Sequence, residues 1–299
     1  KDEFMKSVIY TPTVTIFDDE QNIDLKANAR LLEYLCEFSL DGFVLFGSTG
    51  EFTAFDTKQK KKLIDLYLKT SKYPLFVGTS SLNFKECVEL SNYSIDNGAK
   101  GVLVVSPYYY AASQKNLFDY YDKLAKMVNG DIFIYNYPAR TGSDISSKTV
   151  LKLIENNTNI KGIKDTTPMI SHTKEIIEAT KKYNFSVYSG FDDHFVDNIF
   201  AGGVGCISGL SNIAPDIWTK LVKSANDNDF INLKNYSSAI NKLMELYTLD
   251  ANFSLIFKKL LNLNGLNLNE NAIFPYNSLD EIKFEKAKMI LEDARRLVK

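Results

Sequence analysis

Residues 101–135 read GVLVVSPYYYAASQKNLFDYYDKLAKMVNGDIFIY. Two short runs, GVLVV at 101–105 and IFIY at 132–135, are apolar throughout. That is the pattern of strands in a parallel sheet whose outer face is covered. Between them, residues 114–127 read as an amphipathic helix. Strand, helix and strand in that order make one unit of a parallel sheet.

The same unit repeats outward in both directions. Short β-rich runs fall at 9–15, 42–46, 75–78, 101–105, 132–135, 160–164, 185–189 and 205–207. Helical stretches separate them at 24–38, 57–71, 84–97, 114–127, 147–155 and 171–183. In 83–97, Phe84, Cys87, Val88 and Leu90, then Ile95, fall close to one helical face. Eight strands in strict alternation predict closure into a (β/α)8, or TIM, barrel. An open doubly wound sheet would carry GxGxxG after its first strand, and none stands there. From about Pro215 the alternation stops, and 227–249, 252–262 and 279–298 read as helices. Residues 1–225 are therefore expected to form the barrel, and residues 226–299 a C-terminal helical extension packed on it. No Pro/Ser-rich linker or internal repeat divides the 299 residues.

Charge and cysteine usage narrow the function classes. Lys and Arg number 35 against 37 Asp and Glu, a formal net charge of -2. No basic excess gathers phosphates, so nucleic acid is not an expected partner. No apolar run approaches the roughly 18 residues of a membrane span, and KDEFMKSVIYTP at the N-terminus lacks the apolar stretch of a signal peptide. Cys36, Cys87 and Cys206 form no CxxC or Cys/His cluster, which argues against a disulfide framework and against zinc. His172 and His194 are too few and too far apart in sequence for most metal sites. A reducing cytoplasm is the expected compartment, and no metal is expected.

In such a barrel, catalytic groups sit where strands end and the following loops begin. The sixth strand ends IKGIKDTT, and Lys164 closes it. A lysine there points into an apolar barrel mouth, where burial disfavours the ammonium form and leaves the neutral amine needed to attack a ketone carbon. The plain alternative is a surface lysine. Lys161, at the start of the same strand and of opposite parity, is expected to face the non-catalytic end. The fifth strand ends IYNYPARTG: Tyr135 closes it and can relay protons, and Arg140 follows in a loop held by Pro138 and Gly142, able to pair with a carboxylate. The plain alternatives are a core tyrosine, one of 17, and a solvent-facing arginine.

The second strand ends FGSTGEF. Gly47 and Gly50 let the backbone turn tightly, so amides and the Ser48 and Thr49 hydroxyls can converge on an anion. No GK[ST] follows, so a small carboxylate fits better than a nucleotide. The fourth strand ends SPYYYAAS, and at least one of Tyr108, Tyr109 and Tyr110 is a candidate for contact with a neighbouring subunit. The seventh ends YSGFDDHF, where Gly190 permits close substrate approach. Asp192 and Asp193 can accept from hydroxyls or cap the next helix. The eighth ends GCISGLSN.

Together and in this order, these strand ends resemble the N-acetylneuraminate lyase / dihydrodipicolinate synthase family of class I pyruvate aldolases. The resemblance runs from about Thr11 to Leu249, and GSTGE, YNxPxRTG and GIKDTT carry most of it. It implies that Lys164 forms a Schiff base with Tyr135 beside it as proton carrier. It implies that Ser48 and Thr49 hold the pyruvate carboxylate, and that Tyr109 is lent across a tight-dimer interface. The Ile207 carbonyl and Gly190 would line the pocket. It further implies a homotetramer, a dimer of dimers, with no metal or organic cofactor, the lysine itself serving as electron sink.

Within the family, TPTVTIF, GIKDTT and above all SGFDDHF look like the 2-keto-3-deoxygluconate-type aldolases, as does LYTLDANFSLIFKKLLNLNG near the C-terminus. SGFDDHF also resembles the sialic acid lyases, where acidic residues after this glycine meet sugar hydroxyls. On that likeness Asp192, Asp193, Thr166 and Ser208 are expected along a sugar chain. Arg140 pulls the other way, since the synthases of lysine biosynthesis use an arginine there to bind the carboxylate of aspartate semialdehyde. The leading expectation is a lyase cleaving a 2-keto-3-deoxy sugar acid to pyruvate and an aldehyde. The alternative is a synthase condensing pyruvate with aspartate semialdehyde. A third reading is a barrel that binds a keto acid without chemistry, against which the intact Lys164 and Tyr135 argue.

Overall fold

The structure, a computed structural model, describes residues 6–298. Residues 1–5 and 299 lie outside it, and with them the start of the N-terminal segment and the outer ends of the two expected spans. The strands are β1 (Val8–Pro12), β2 (Gly42–Leu45), β3 (Leu75–Gly78), β4 (Gly101–Val105), β5 (Ile132–Asn136), β6 (Ile160–Asp165), β7 (Ser186–Ser189) and β8 (Gly205–Ile207). They close into a barrel in chain order, as the alternation predicts. The helices are α1 (Leu25–Cys36), α2 (Thr57–Thr70), α3 (Phe84–Asp96), α4 (Gln114–Met127), α5 (Pro138–Thr141), α6 (Ser147–Asn156), α7 (Ile170–Thr180), α8 (Phe195–Phe200), α9 (Pro215–Asn226), α10 (Phe230–Leu243), α11 (Phe253–Asn262) and α12 (Glu281–Arg296). Side chains of Asp24, Asp56, Asn83, Ser113 and Ser146 accept from first-turn amides and so fix where α1, α2, α3, α4 and α6 begin. The alternation runs one element further than the sequence suggested, because Pro215 opens α9 directly after the β8 loop.

The chain gathers into two compact units. The first holds Pro74–Ile207 with the segment ending at Val8. Its strands pair in parallel from β3 to β8. Val102, Val104, Ile132, Ile134, Ile160, Ile163 and Val187 pack on one face against Leu117, Leu124, Val150, Leu153, Ile176 and other helix residues. The opposite face holds a layer of rings over glycines. Phe76 meets Phe133 edge-on at 4.7 Å, and a Cβ on Gly162 would lie 2.6 Å from the Phe133 ring. The β5/β6 register slips between Ile132 and Phe133, which pair with Ile160 and Gly162. Lys161 is thus the extra residue of a bulge, half-buried, which is why Ile160 and Ile163 share a face although three positions apart. Beyond the bulge the period of two resumes, and Gly162 and Lys164 share the other face.

The second unit holds Ile9–Tyr73 and the chain from Ser208. Strand β1 ends at Pro12, three residues short of the expected 15. Past that point side chains replace ladder partners: Val14 N donates to Asn212 Oδ1 at 3.2 Å, and Ile16 N to Asn28 Oδ1 at 3.1 Å. The expected helix 227–249 divides into α10 and a 3-10 turn over Met244–Thr248. At the centre lies a buried ion pair, Lys258 Nζ on Glu51 Oε2 at 2.6 Å, with side chains 0% and 2% exposed. Glu51 Oε1 also accepts from Asn252 Nδ2 and from the Ile273 amide, both at 2.8 Å, and Lys258 donates to the Asn271 carbonyl at 2.6 Å. Burial pulls the Lys258 ammonium below its ordinary lysine value while Glu51 opposes that shift.

Removing one partner of such a pair strands the other. Lys258→Met is expected to destabilise the fold by about 3–5 kcal/mol, read as a lowered midpoint in urea unfolding. A loss below about 1 kcal/mol would mean that Asn252 and the Ile273 amide alone satisfy Glu51.

Candidate active site

In the first unit the strand register brings three side chains of the candidate site to one level. Val105 pairs with Tyr135, Tyr135 with Lys164, and Lys164 with Tyr188. Neighbours in register on a parallel sheet point to the same face, so Tyr135, Lys164 and Tyr188 stand side by side above the Phe133 layer. All three are buried. Lys164 Nζ lies 4.5 Å from the Tyr135 ring centroid. Tyr137 stacks on Tyr135 at 5.9 Å, and the exposed Arg140 guanidinium lies 5.8 Å from the Tyr137 ring centroid. Arg140 sits in α5, a single turn opened by Pro138 and closed by Gly142 at φ 69. An amine flanked by tyrosines on an apolar floor is suited to forming an imine with a carbonyl compound.

Past β6 and β7, Thr166 and Gly190 lie against each other. A Cβ on Gly190 would fall 1.9 Å from Thr166 Oγ1. That hydroxyl is buried and has no hydrogen-bond partner among the described residues. The two acidic residues after Gly190 separate: Asp192 is buried and Asp193 exposed. Neither caps α8, whose N-cap is His194. Asp192, Asp193 and Lys164 all act electrostatically on Cys206, whose thiol burial pushes well above its ordinary value. Ile207 is buried at the end of β8. Tyr109 stands apart from this group. It is 83% exposed, at φ 82, edge-on to the 80% exposed Tyr110 at 4.9 Å.

In the second unit, the turn after β2 lies between Phe46 at φ 57 and Glu51 at φ 50, both left-handed and neither a glycine. That strain is held by packing around Phe46 and by the partners of Glu51. Ser48 is half-buried and Thr49 buried. The Thr49 carbonyl accepts from Ser254 Oγ at 2.9 Å. Ser208 is fully buried, and its hydroxyl accepts from the Ser211 amide at 3.3 Å, which caps the turn over Gly209–Asn212. The next residue, Gly209, lies close to two hydroxyls. A Cβ there would come 2.4 Å from Tyr247 Oη and 3.4 Å from Thr49 Oγ1.

Two features escaped the sequence reading. Tyr247 lies in the C-terminal run already noted, but nothing in its spacing marks it as reaching Gly209. The second is a polar cluster on the helix-facing side of β5 and β6. Asn136 and Asp165, which directly follow Tyr135 and Lys164, pair in register, with Asn136 Nδ2 donating to Asp165 Oδ1 at 2.8 Å. Asp165 Oδ2 accepts from Thr173 Oγ1 at 2.6 Å and meets His172 Nδ1 at 2.9 Å. His172 Nε2 meets the Ile145 carbonyl at 2.9 Å and Asp144 Oδ1 at 3.3 Å. The hydrogen bond to Asp165 pushes the His172 pKa up from 6.5 to about 9, against burial and with help from the charges of Asp165 and Asp144. Among the described residues, no group of three or more His, Cys, Asp or Glu is placed to hold a metal ion, and no helix is long and apolar enough to cross a membrane.

The model of the dihydrodipicolinate synthetase family matches residues 5–294. The Escherichia coli K12 protein YagE, provisionally named a 2-dehydro-3-deoxy-D-gluconate aldolase, is 31% identical over 96% of this chain and 96% of its own. Its crystal structure in complex with pyruvate superposes with a TM-score of 0.92, covering 97% of this chain and 98% of that one at 30% identity. YjhH of the same organism, provisionally named a 2-dehydro-3-deoxy-D-pentonate aldolase, is 28% identical over 95% of this chain and 96% of its own. A 4-hydroxy-tetrahydrodipicolinate synthase of Methanococcoides burtonii is 32% identical over 85% of this chain and 87% of its own. The chain belongs to the dihydrodipicolinate synthetase family and is, with it, a pyruvate-dependent carbon–carbon lyase.

Two outcomes follow from the geometry. Gly190→Ala is expected to cost about 1–3 kcal/mol, measured by thermal unfolding, and adding Thr166→Ala should return part of that cost. Equal costs in both backgrounds would place the clash elsewhere. For His172 the folded pKa lies above the unfolded one, so its contribution is complete below about pH 6.5 and fades as pH rises through about 9. The stability gap between the wild type and His172→Gln should therefore narrow over that window. A gap independent of pH would show that the ring does not hold its second proton.

Proposed function

We propose that the protein cleaves a 2-keto-3-deoxy sugar acid to pyruvate and an aldehyde through a Schiff base on Lys164. The observation that carries this reading is the in-register burial of Lys164 between Tyr135 and Tyr188 at the ends of β5, β6 and β7. The Lys164 amine adds to the C2 ketone, and loss of water gives an iminium. Tyr135 moves protons between the carbinolamine and the leaving hydroxyl, and takes the C4 hydroxyl proton as the C3–C4 bond breaks. The bonding pair passes to the iminium nitrogen as an enamine, the aldehyde departs, and protonation at C3 followed by hydrolysis frees pyruvate. The lysine is the electron sink, so the scheme uses no metal and no organic cofactor.

The remaining roles belong to the same proposal. Ser48 and Thr49, after β2, hold the keto-acid carboxylate, and the Ile207 carbonyl and Gly190 border the keto-acid carbons. Thr166 and Asp192 meet hydroxyls of the sugar chain, a role that the unpartnered buried hydroxyl of Thr166 supports. Asp193 and Ser208 complete that set, with Ser208 also serving its own turn. Tyr109 acts from a neighbouring subunit of a homotetramer, a dimer of dimers. Its exposure beside Tyr110 supports this role. Residues 226–299 form the helical extension, and the cytoplasm is the working compartment.

Arg140 favours a second reading, condensation of pyruvate with aspartate semialdehyde. Its guanidinium is exposed over Tyr137 and pairs with no carboxylate among the described residues, and Tyr137 stacks on Tyr135. One experiment separates the readings. Pyruvate release from 2-keto-3-deoxygluconate, followed by coupling to lactate dehydrogenase, is expected from the wild type and abolished in Lys164→Ala. No release from any 2-keto-3-deoxy sugar acid would sink the lyase reading. The synthase reading would then predict a strong rise in the KM for the semialdehyde in Arg140→Ala.

A further inference from the structure

We propose that His172 is a positioning residue for the Lys164–Tyr135 pair, acting through Asp165 and Asn136 from the outer side of the barrel wall. The inference rests on the Schiff-base reading above and adds a group that does not touch substrate.

The argument starts from alternation along a strand. Lys164 and Tyr135 are in register on one face, so their successors, Asp165 and Asn136, are in register on the other. Any shift of the second pair moves the backbone that carries the first. Asp165 is fully buried, and each of its oxygens is engaged: Oδ1 by Asn136 and Oδ2 by Thr173 and His172. Main-chain bonds tie the same strand ends, with Thr166 N donating to the Asn136 carbonyl and Gly190 N to the Asp165 carbonyl, both at 2.8 Å. Asn136 also donates to Asp144 Oδ1 at 2.8 Å and accepts from the Ile145 amide at 3.2 Å. The cluster therefore fastens β5, β6, α7 and the segment after α5, the helix that carries Arg140.

His172 is the member that spans the cluster. Both ring nitrogens face acceptors only, Asp165 on one side and the Ile145 carbonyl with Asp144 on the other. To donate on both sides the ring must carry both protons. It sits in the first turn of α7, where the helix dipole opposes a cation. The charged groups that face it are Asp165 from β6 and Asp144 from the segment between α5 and α6. On its own helix, Thr173 shares Asp165, and Lys174 turns away to Asp197 at 2.7 Å. Thr173 alone would supply a donor to that Asp165 oxygen. What only the doubly protonated ring supplies is a bridge from β6 to the Ile145 segment. Loss of one proton leaves one end without its donor and loosens the wall behind Lys164 and Tyr135.

The test compares the wild type and His172→Gln from pH 6 to pH 10, with kcat and KM for pyruvate release and, in parallel, borohydride trapping of pyruvate read by intact mass. Displacement of reacting groups by about an ångström costs on the order of 10-fold to 100-fold in rate, so kcat should fall within that range at pH 7 while KM moves less than about 3-fold. The wild-type to variant kcat ratio should shrink above about pH 9, where the wild-type ring has lost its bridging proton. Saturating pyruvate should still label every variant chain, which separates misplacement from loss of folded enzyme. A kcat ratio that is constant across the range, or an unchanged kcat, overturns the inference. Absence of adduct on the wild type overturns the Schiff-base reading and this inference with it. Should His172→Gln not fold, Asp144→Asn provides the second arm. It keeps an acceptor for Asn136 and removes one charge facing the ring, so the alkaline limb of kcat should move to lower pH. An unmoved limb counts against the inference.

Discussion

Successive residues on a strand face opposite ways, and in β5 and β6 both directions are used at the same level. Tyr135 and Lys164 share the inner face, while Asn136 and Asp165 share the outer one and pair at 2.8 Å. The proposed chemistry and the polar cluster behind it are therefore consecutive residues on each of two strands. Most of what surrounds them depends on that coupling. The Phe133 ring over Gly162 sets the floor, Tyr188 closes the row at β7, and the cluster around Asp165 fixes the strand ends from behind. A lysine on a loop would need its geometry supplied by contacts to itself. Here the barrel ladder sets the position of Lys164.

The turn after β2 uses a different device. Its backbone passes through the left-handed region at Phe46 and at Glu51, where a side chain is costly. Glu51 is held there by Lys258, Asn252 and the Ile273 amide, all from the C-terminal part of the chain. The last letter of GSTGE is thus a structural anchor, and its negative charge is consumed inside the second unit. Ser48 and Thr49 are displayed by a turn that Lys258, Asn252 and the Ile273 amide help to hold strained. A buried ion pair of this kind contributes little net stability over an apolar pair, but it is strict about where its partners stand.

The barrel was legible because apolar runs and amphipathic helices alternate with few interruptions, and because the strand ends carry the polar residues. The shared level of Lys164 and Tyr135 was legible for the same reason, each being the last inward position of its strand. The end of β1 was not. Thr13 to Thr15 read as strand by their branched side chains, but the Val14 amide is claimed by Asn212, 198 residues away. Such a capture leaves no local trace. The sequence marks His172 only as an unpromising metal ligand, since its partners come from β6 and from the segment after α5. They meet only once the β5/β6 register is fixed. Tyr247 escaped similarly, because a tyrosine in a 3-10 turn signals nothing about the glycine it reaches.

The bulge at Lys161 also bears on how this sequence tolerates changes of length. One surplus residue is absorbed at the entry to β6, below the ring layer, and the ladder above it runs in phase from Gly162 to Asp165. Insertions or deletions at that entry can be taken up by enlarging or flattening the bulge, with Lys164 left where it is. The same change two or three residues later would turn Lys164 outward and Asp165 inward, exchanging an amine for a carboxylate at the barrel mouth. The start of β6 is thus a buffer against frame errors in the protein chain.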